Sequence, residues 1–267
     1  MMLSPFRVKK QVFHDQSCRC SLMRAYHIGV DEAGRGPSIG PLVVCALSIP
    51  IEDRGILTEM GVDDSKNLTR QKRESIHSEI IDISESRGWK ISVIDCDAER
   101  IDLWMESGTM NSLEVVAFSD AIEEVSENSL EYSIFLDACD VDAERFGRNV
   151  SASLTNKGIG WRIVSKHRMD SDDVVTGAAS IIAKVNRDWA MDKLSQELGI
   201  DLGSGYPSDP KSKTAIEDLC REDPPNDCLR RKWKNVDRAW MKHHRTPIPS
   251  RSVRTPGGVQ SALDEWN

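Results

Sequence analysis

The chain has 267 residues, of which 39% are hydrophobic and 29% charged, and its formal net charge is −8. This composition is ordinary for a globular protein with a full core, and it excludes a protein that is basic over its whole surface. No apolar run reaches the length of a membrane span, and residues 1–25 lack the apolar segment of a secretory signal. Seven dispersed cysteines without zinc-ribbon spacing predict reduced thiols in a cytoplasmic protein.

The first predicted elements follow an N-terminal extension, residues 1–24, which shows no hydrophobic period and is expected to be poorly ordered. Apolar, β-branched runs predict strands over Tyr26–Val30, Leu42–Ile51, Lys90–Ile94, Ser133–Leu136 and Trp161–Val164. Apolar residues at helical spacing predict helices over Gln71–Ser84, Leu113–Val125 and Val174–Leu198. Strands that alternate with helices indicate an α/β domain, which we place at residues 25–205.

The long helix Val174–Leu198 is predicted to bury a broad apolar stripe. Asp172 and Asp173 precede it, and acidic residues suit the N-terminal end of a helix. The stripe consists of Ala178, Ile181, Ile182, Val185, Trp189 and Leu194.

Two further helices are predicted after the Gly-, Ser- and Pro-rich loop Gly203–Pro210. They cover about 211–222 and 230–243, within a helical C-terminal region at 206–245. Seven Lys or Arg against one Asp in Leu229–Arg245 indicate either a phosphate-facing surface or a solvated helix face. Residues 246–267 begin with a Pro-, Ser-, Arg- and Gly-rich stretch that predicts a flexible tail.

The stretch DEAGRG, Asp31–Gly36, directly follows the first predicted strand. Successive side chains of a regular strand point to opposite faces, so Asp31 and Glu32 converge on one ion only if the chain leaves the strand there. Gly34 and Gly36 favour such an exit, so we expect the chain to leave the strand at these acids. Two acids beside a positively charged glycine turn indicate a site that grips a phosphodiester.

Further acids stand where two other predicted strands end or have just ended. Asp137 closes the run IFLD, and Asp170 follows the strand that contains Val164. Together with Asp31 and Glu32 they predict an oxygen-only site for Mg²⁺ or Mn²⁺. The alternative interpretation is that each acid is a helix cap or a solvated loop charge.

Several ordered motifs accompany these acids: GVDEAGRGPSIGPLVV at 29–44, DDSKNLT at 63–69, ESGTMNSLEV at 106–115, LDACDVDAERF at 136–146, SKHRMD at 165–170, AASIIAKVNRD at 178–188 and GSGYPSDP at 203–210. From about Ile28 to Trp233 the chain therefore resembles type 2 ribonuclease H (ribonuclease HII), and within it the archaeal branch. The resemblance implies a ribonuclease H-like fold, with a mixed central sheet flanked by helices and a helical C-terminal region.

The same resemblance implies a metal-dependent endonuclease with a role in DNA replication and ribonucleotide excision repair. Such an enzyme hydrolyses the RNA strand of RNA–DNA hybrids. It also cuts on the 5′ side of single ribonucleotides in duplex DNA, leaving 3′-hydroxyl and 5′-phosphate ends. Its catalytic acids hold two divalent ions, Mg²⁺ or Mn²⁺, and by motif they are Asp31, Glu32, Asp137 and Asp170.

The resemblance also implies a set of substrate contacts. Gly34, Arg35 and Gly36 would touch the ribose and adjacent phosphates and so read the 2′-hydroxyl. Tyr206 would lie against the sugar at the cut site, although it also suits a loop anchor. Phosphates would be held by Lys66, for which a surface lysine is the alternative, and by Asn111.

The chain departs from the family pattern around the fourth acid. Asp170, Asp172 and Asp173 crowd a loop where the family usually has apolar residues or proline after the catalytic acid. Asp170 keeps the spacing from Lys166 and His167, but Asp172 or Asp173 could share or replace its role.

The C-terminal tail carries a separate motif, in which Gln260, Leu263 and Trp266 are spaced three residues apart. Leu263 and Trp266 would share a face of one helical turn, like the peptide by which replication and repair enzymes bind the sliding clamp. Asn267 stands where that peptide usually has a second aromatic residue. The alternative is a terminal turn that packs on its own domain. Nothing in the sequence requires a partner subunit, so we expect a monomer.

Two other functions are compatible with part of the pattern. One is a DNA-strand or junction nuclease of the same general fold. The other is a protein that binds hybrids or the clamp without turnover. The GRG turn together with Tyr206 favours an enzyme that depends on the 2′-hydroxyl, and the four acids favour turnover.

Overall fold

The computed structural model describes residues 25–62, 68–155, 158 and 161–251. Its strands form one five-stranded sheet in the order β3-β2-β1-β4-β5. β2 pairs antiparallel with β1 and β3, whereas β4 pairs parallel with β1 and β5. The predicted α/β fold and its mixed sheet are therefore confirmed. The strands are β1 (Tyr26–Ala33), β2 (Leu42–Pro50), β3 (Lys90–Cys96), β4 (Tyr132–Asp137) and β5 (Arg162–Lys166).

The helices predicted from apolar periodicity are present, and shorter helices occur between them. Within the described residues, no helix is both long enough and apolar enough to cross a membrane. The helices are α1 (Arg54–Glu59), α2 (Arg70–Arg87), α3 (Ala98–Trp104), α4 (Met110–Val125), α5 (Ala143–Ser153), α6 (Met169–Asp172), α7 (Val174–Leu198), α8 (Pro210–Leu219) and α9 (Lys234–His244).

Helices cover both faces of the sheet, and strand β1 lies in the middle. Its residues Ile28 and Val30 belong to the core cluster that includes residues of α4 and α5. Ala33, of the opposite parity, belongs to the cluster that includes residues of α7 and α2. Because side chains alternate along a strand, each face of β1 has its own core.

Helix α7 has the predicted bounds, and Asp173 is its N-cap, accepting a hydrogen bond from the Thr176 amide at 2.9 Å. One member of the predicted buried stripe is exposed, since Trp189 keeps 42% of its surface accessible. The stripe prediction was wrong there because the indole is not part of the apolar cluster that α7 forms with the sheet. It meets the His77 ring edge-on at a centroid distance of 4.9 Å.

The C-terminal helices α8 and α9 pack around a third cluster, which also includes Ile39 and Met191. Helix α9 begins at Lys234, not at residue 230 as predicted. The preceding residues pair with the chain after β1 instead, through a bridge between Leu229 and Ile39. Several basic residues of Leu229–Arg245 are engaged within the protein: Arg230 is buried, Lys232 pairs with Glu106, and Lys242 pairs with Glu217.

The beginning of the predicted flexible tail is attached to the domain. Arg251 is buried, and its Nε donates to Asp102 Oδ2 at 2.8 Å. The guanidinium also donates to Asp227 and to the Leu229 carbonyl. The segment after α9 is therefore anchored as far as residue 251.

Candidate active site

The parallel pairing of β1 with β4 brings the first two acids together. Val30 is in register with Leu136, so Asp31 and Asp137 are neighbours at the carboxyl ends of adjacent strands. β1 continues through both acids to Ala33, with Asp31 opposite Cys45 and Glu32 opposite Val44 of β2. The prediction that the chain leaves the strand at these acids was therefore wrong. Side chains alternate along a strand, so Asp31 lies on the same face as Ala33, toward α7, and Glu32 lies on the same face as Val30, toward α4.

Asp170 reaches the same site from the turn after β5. Arg168 adopts a left-handed backbone conformation (φ 61°), after which Met169 begins α6. The Met169 amide donates to Asp137 Oδ1 at 3.3 Å, which ties this turn to the end of β4. Carboxylate oxygens of Asp31, Asp137 and Asp170 all lie within 4.8 Å of one another.

Glu32 belongs to a second, adjoining group on the α4 side. One ligand atom each of Glu32, Glu114 and Cys139 lie within 4.8 Å of one another. The two groups are linked, because the Glu32 amide donates to Asp31 Oδ1 at 2.8 Å. Three of the four predicted acids therefore form one cluster, and the fourth lies on the opposite face of β1, beside it.

The acids repel one another in a site that is largely shielded from water. Burial and the Glu32 charge raise the pKa of Asp31 well above its usual value. Burial, Asp31 and Asp170 raise the pKa of Asp137 to about 7. Burial and Glu114 also raise the pKa of Glu32. An all-oxygen cluster of this kind fits a hard divalent cation, because a bound cation stabilises the ionised carboxylates that now repel one another.

Asp137 gives the metal-free protein a characteristic pH dependence. Its pKa is about 7 in the folded state, so folding favours the protonated form and stability from this group is lost as pH rises from about 4 to 7. With allowance for solvent screening, the loss should be on the order of 2 kcal/mol. Urea unfolding in EDTA at pH 5 and pH 8 should show a larger loss of stability for the wild type than for Asp137→Asn, in which the raised pKa values of Asp31 and Glu32 still contribute. A difference of the same size in both proteins would assign the effect to other groups.

Asp172 and Asp173, which the sequence left as alternatives to Asp170, lie in different surroundings. Asp172 is exposed at the end of α6. Asp173 is buried, and its carboxylate lies 3.0 Å from His27 Nε2 and 2.9 Å from Arg54 Nη2. Although burial opposes ionisation, hydrogen bonds with His27 and Thr176 lower the pKa of Asp173. Of the three, Asp170 is the one grouped with Asp31 and Asp137.

The GRG turn lies beside the acids and under an aromatic ring. Gly34 has φ +92°, and a Cβ there would stand 2.3 Å from Arg187 Nε. A Cβ on Gly36 would stand 3.2 Å from Cε1 of Tyr206. Tyr206 is 41% exposed, and the centroid of its ring lies 5.6 Å from the Arg187 guanidinium carbon. Glycine at both positions therefore leaves room for the packing of Arg187 and Tyr206.

Of the other predicted substrate contacts, Arg35 and Asn111 are described by the structure and Lys66 is not. Arg35 donates to Asn111 Oδ1 at 2.6 Å and also pairs with Glu114, so Arg35 and Asn111 come together at the start of α4. Lys66 and the tail residues Gln260, Leu263 and Trp266 lie outside the described residues.

Sequence reasoning missed several groups that shape the site. Glu114 stands out in retrospect as an acid on the apolar face of α4, between Leu113 and Ala117. Arg187 lies on α7, where it is the one charged residue among the buried positions of the helix. Cys139 and Arg230 gave no comparable signal, because their positions depend on contacts between distant segments.

Comparison with known proteins identifies the family of this chain. The family model for ribonuclease HII matches residues 28–236. The ribonuclease HII of Pyrococcus furiosus is 42% identical over 214 residues, covering 78% of this chain and 88% of the relative. The ribonuclease HII of Methanococcus maripaludis is 37% identical over 195 residues, covering 73% of this chain and 78% of the relative.

Solved structures show the same similarity in three dimensions. The ribonuclease H2 of Pyrococcus horikoshii superposes with a TM-score of 0.70 at 35% identity, over 83% of this chain and all of that one. A ribonuclease HII of Archaeoglobus fulgidus, solved in complex with PCNA, superposes with a TM-score of 0.69 at 31% identity. The match covers 80% of this chain and 96% of that one. The chain belongs to the ribonuclease HII family and is a divalent-metal-dependent endonuclease that acts on RNA–DNA hybrids.

Proposed function

We propose that the enzyme also cuts at single ribonucleotides embedded in duplex DNA, on their 5′ side. The observation that supports this most strongly is the contact between Gly36 and Tyr206, where a Cβ would come within 3.2 Å of the ring. Backbone amides at such a turn can approach one sugar closely, and the 2′-hydroxyl is what distinguishes RNA from DNA at a given position. A site that reads one ribose does not require a run of ribonucleotides.

Asp31, Glu32, Asp137 and Asp170 are proposed to hold two divalent ions, Mg²⁺ or Mn²⁺. When bound, such ions supply activation of a water molecule and neutralisation of charge on the leaving oxygen. The acids themselves fix the ions beside the GRG turn, because Asp31 lies on the same strand as the residues leading into that turn. The P–O3′ bond on the 5′ side of the ribonucleotide breaks, which gives a 3′-hydroxyl and a 5′-phosphate.

Substrate orientation is assigned to the groups around the turn. Tyr206 is exposed enough to present its ring to a sugar, and an aromatic ring recognises sugar shape without regard to the base. The Arg35 side chain is 34% exposed, and its pairing with Glu114 keeps its charge near the turn. Asn111 is proposed to act with Arg35 on a phosphate, and Lys66 on another.

The decisive experiment compares a DNA duplex that contains one ribonucleotide with the same duplex made entirely of DNA, in Mg²⁺ and in Mn²⁺. We expect one cut, 5′ to the ribonucleotide, and no cleavage of the control. A long RNA–DNA hybrid serves as the positive control for active enzyme. Cleavage of the hybrid without cleavage of the single-ribonucleotide duplex would reject the proposal, and equal cutting of both DNA duplexes would reject ribose recognition.

We also propose that Gln260, Leu263 and Trp266 form a peptide that binds the sliding clamp. The support is the spacing of these residues and the Archaeoglobus fulgidus ribonuclease HII solved in complex with PCNA. Removal of residues 259–267 should abolish clamp binding in a pull-down assay and leave cleavage of the free hybrid unchanged. Undiminished clamp affinity after the deletion would refute the assignment.

A further inference from the structure

The segment between α8 and α9 forms the floor of the GRG turn. Leu229 bridges Ile39, the Arg230 amide donates to the Ser38 carbonyl at 2.9 Å, and the Gly40 amide donates to the Cys228 carbonyl at 2.9 Å. This short pairing places the Arg230 side chain directly beneath residues 34–40.

Arg230 is fully buried, and its guanidinium donates hydrogen bonds to backbone carbonyls. Nε donates to Gly40 O at 2.8 Å, Nη1 to Arg35 O at 3.0 Å and Nη2 to Gly34 O at 2.6 Å. Trp233 adds a fourth bond of the same kind, from its indole Nε1 to Gly36 O at 3.2 Å. All three carbonyls of the GRG turn are thus held by this segment.

The direction of these carbonyls fixes the direction of the amides. In a trans peptide the C=O of one residue and the N–H of the next point in opposite directions. With the Gly34 and Arg35 carbonyls held toward Arg230, the N–H groups of Arg35 and Gly36 point away from it. Neither N–H has a hydrogen bond to another group among the described residues. The carbonyl of Gly36 precedes Pro37, which has no N–H.

The charge of Arg230 strengthens the arrangement. Burial and the nearby Arg187 lower its pKa to about 9, so the guanidinium remains charged at neutral pH. A buried cation is costly, and an apolar residue of similar volume often gives equal or greater stability. Hydrogen bonds from a charged donor are stronger than those from a neutral one, which suits a group that must fix backbone direction.

We propose that Arg230 and Trp233 are positioning residues for ribose recognition: Arg230 holds the Gly34 and Arg35 carbonyls inward so that the Arg35 and Gly36 amides face the sugar, and Trp233 fixes the end of the turn through the Gly36 carbonyl. This inference rests on the proposed recognition of a single ribose by that turn. It adds two residues from a segment distant in sequence, neither of which need touch the substrate.

The test measures a ratio of affinities, which does not depend on the active fraction of a preparation. Fluorescence anisotropy in Ca²⁺, which is also a hard oxygen-binding cation, gives Kd for the single-ribonucleotide duplex and for its all-DNA counterpart. A denaturing gel shows whether each duplex is still intact. The proteins are the wild type, Arg230→Met, Trp233→Phe and, as a matched control, Arg231→Met. The Arg231 guanidinium also donates to backbone carbonyls, but to those of Pro225 and Pro249.

The wild type and Arg231→Met should prefer the ribonucleotide duplex by about tenfold or more, equivalent to about 1.4 kcal/mol. In Arg230→Met the preference should fall to within about twofold of unity, while Kd for the all-DNA duplex changes by less than about threefold. Trp233→Phe should lose a smaller part of the logarithmic preference, about a quarter, because it removes one of the four donors and leaves the bonds from Arg230 in place.

Results other than these would contradict either the recognition of the ribose or the positioning role of Arg230 and Trp233. A wild type without any preference overturns ribose recognition by the turn, and the positioning role with it. A wild-type preference that Arg230→Met retains overturns the positioning role alone. If thermal unfolding shows that Arg230→Met does not fold, Trp233→Phe decides: an unchanged preference refutes the proposal, and a reduced one supports it.

Discussion

Replacement of Asp170 by asparagine should lower kcat on an RNA–DNA hybrid by about 1000-fold or more, which corresponds to about 4 kcal/mol of transition-state stabilisation. The physical reason is that Asp170 shares the site with Asp31 and Asp137. The amide keeps the shape of the side chain but loses the charge that a divalent cation requires. Initial rates over a range of Mg²⁺ concentrations provide the measurement.

The matched control is Asp172→Asn, two residues further along the same short helix. Asp172 is exposed, so its replacement should change kcat by less than about twofold. Asp170→Asn should also make the metal-free protein slightly more stable, because Asp170 is one of the charges that raise the pKa of Asp137. If Asp172→Asn lost activity and Asp170→Asn kept it, Asp172 and not Asp170 would be the fourth catalytic acid.

Gly34→Ala should both destabilise the protein and abolish most of its activity. Gly34 has φ +92°, and an added Cβ would stand 2.5 Å from Arg187 Cδ and 2.6 Å from the Pro41 carbonyl oxygen. The left-handed conformation and the backbone clash together should cost about 3 kcal/mol. For a protein of this size that is a fall in Tm of about 6–12 °C. We expect kcat/KM to fall about 100-fold, because the turn shifts relative to the acids.

Gly55→Ala is the matched control for this substitution. Gly55 lies in α1, has no atom within 4 Å of an added Cβ, and does not have a positive φ. Alanine there should raise the free energy of unfolding by up to about 1 kcal/mol and leave kcat/KM unchanged. A Gly34→Ala enzyme with wild-type Tm and activity would show that the turn tolerates a side chain, contrary to its packing on Arg187.

The order of the elements followed from the sequence because local patterns are strong in this chain. Helix α7 was predicted at about Val174–Leu198 and has these bounds, with Asp173 as the cap at its start and Gly199, at φ +67°, as the cap at its end. Strand β2 is buried along its whole length and reads as an apolar run interrupted only by Ser48. Helix α6 has four residues and carries no period, so local pattern could not reveal how it presents Asp170.

Long-range packing accounts for the errors and omissions at the site. The sequence correctly indicated that Asp31 and Glu32 of a regular strand diverge, but it could not show that β2 extends the pairing through both. The start of helix α9 was misplaced because Arg230 and Trp233 are fixed by carbonyls of residues 34–40, some 190 positions earlier. Arg35 was expected to face phosphates. Its ion pair with Glu114 could not be predicted, because it depends on how α4 packs against the sheet.

The acids gathered at the ends of β1 and β4 and at the turn after β5 form the proposed metal centre, and Mn²⁺ titration calorimetry tests that assignment most directly. The wild type and Asp172→Asn should bind Mn²⁺ with the same stoichiometry and with affinities within about twofold of each other. Asp170→Asn should bind at least about tenfold more weakly or lose a site, because one anionic ligand is gone. Wild-type Mn²⁺ binding by Asp170→Asn would contradict the assignment of this cluster as the metal centre.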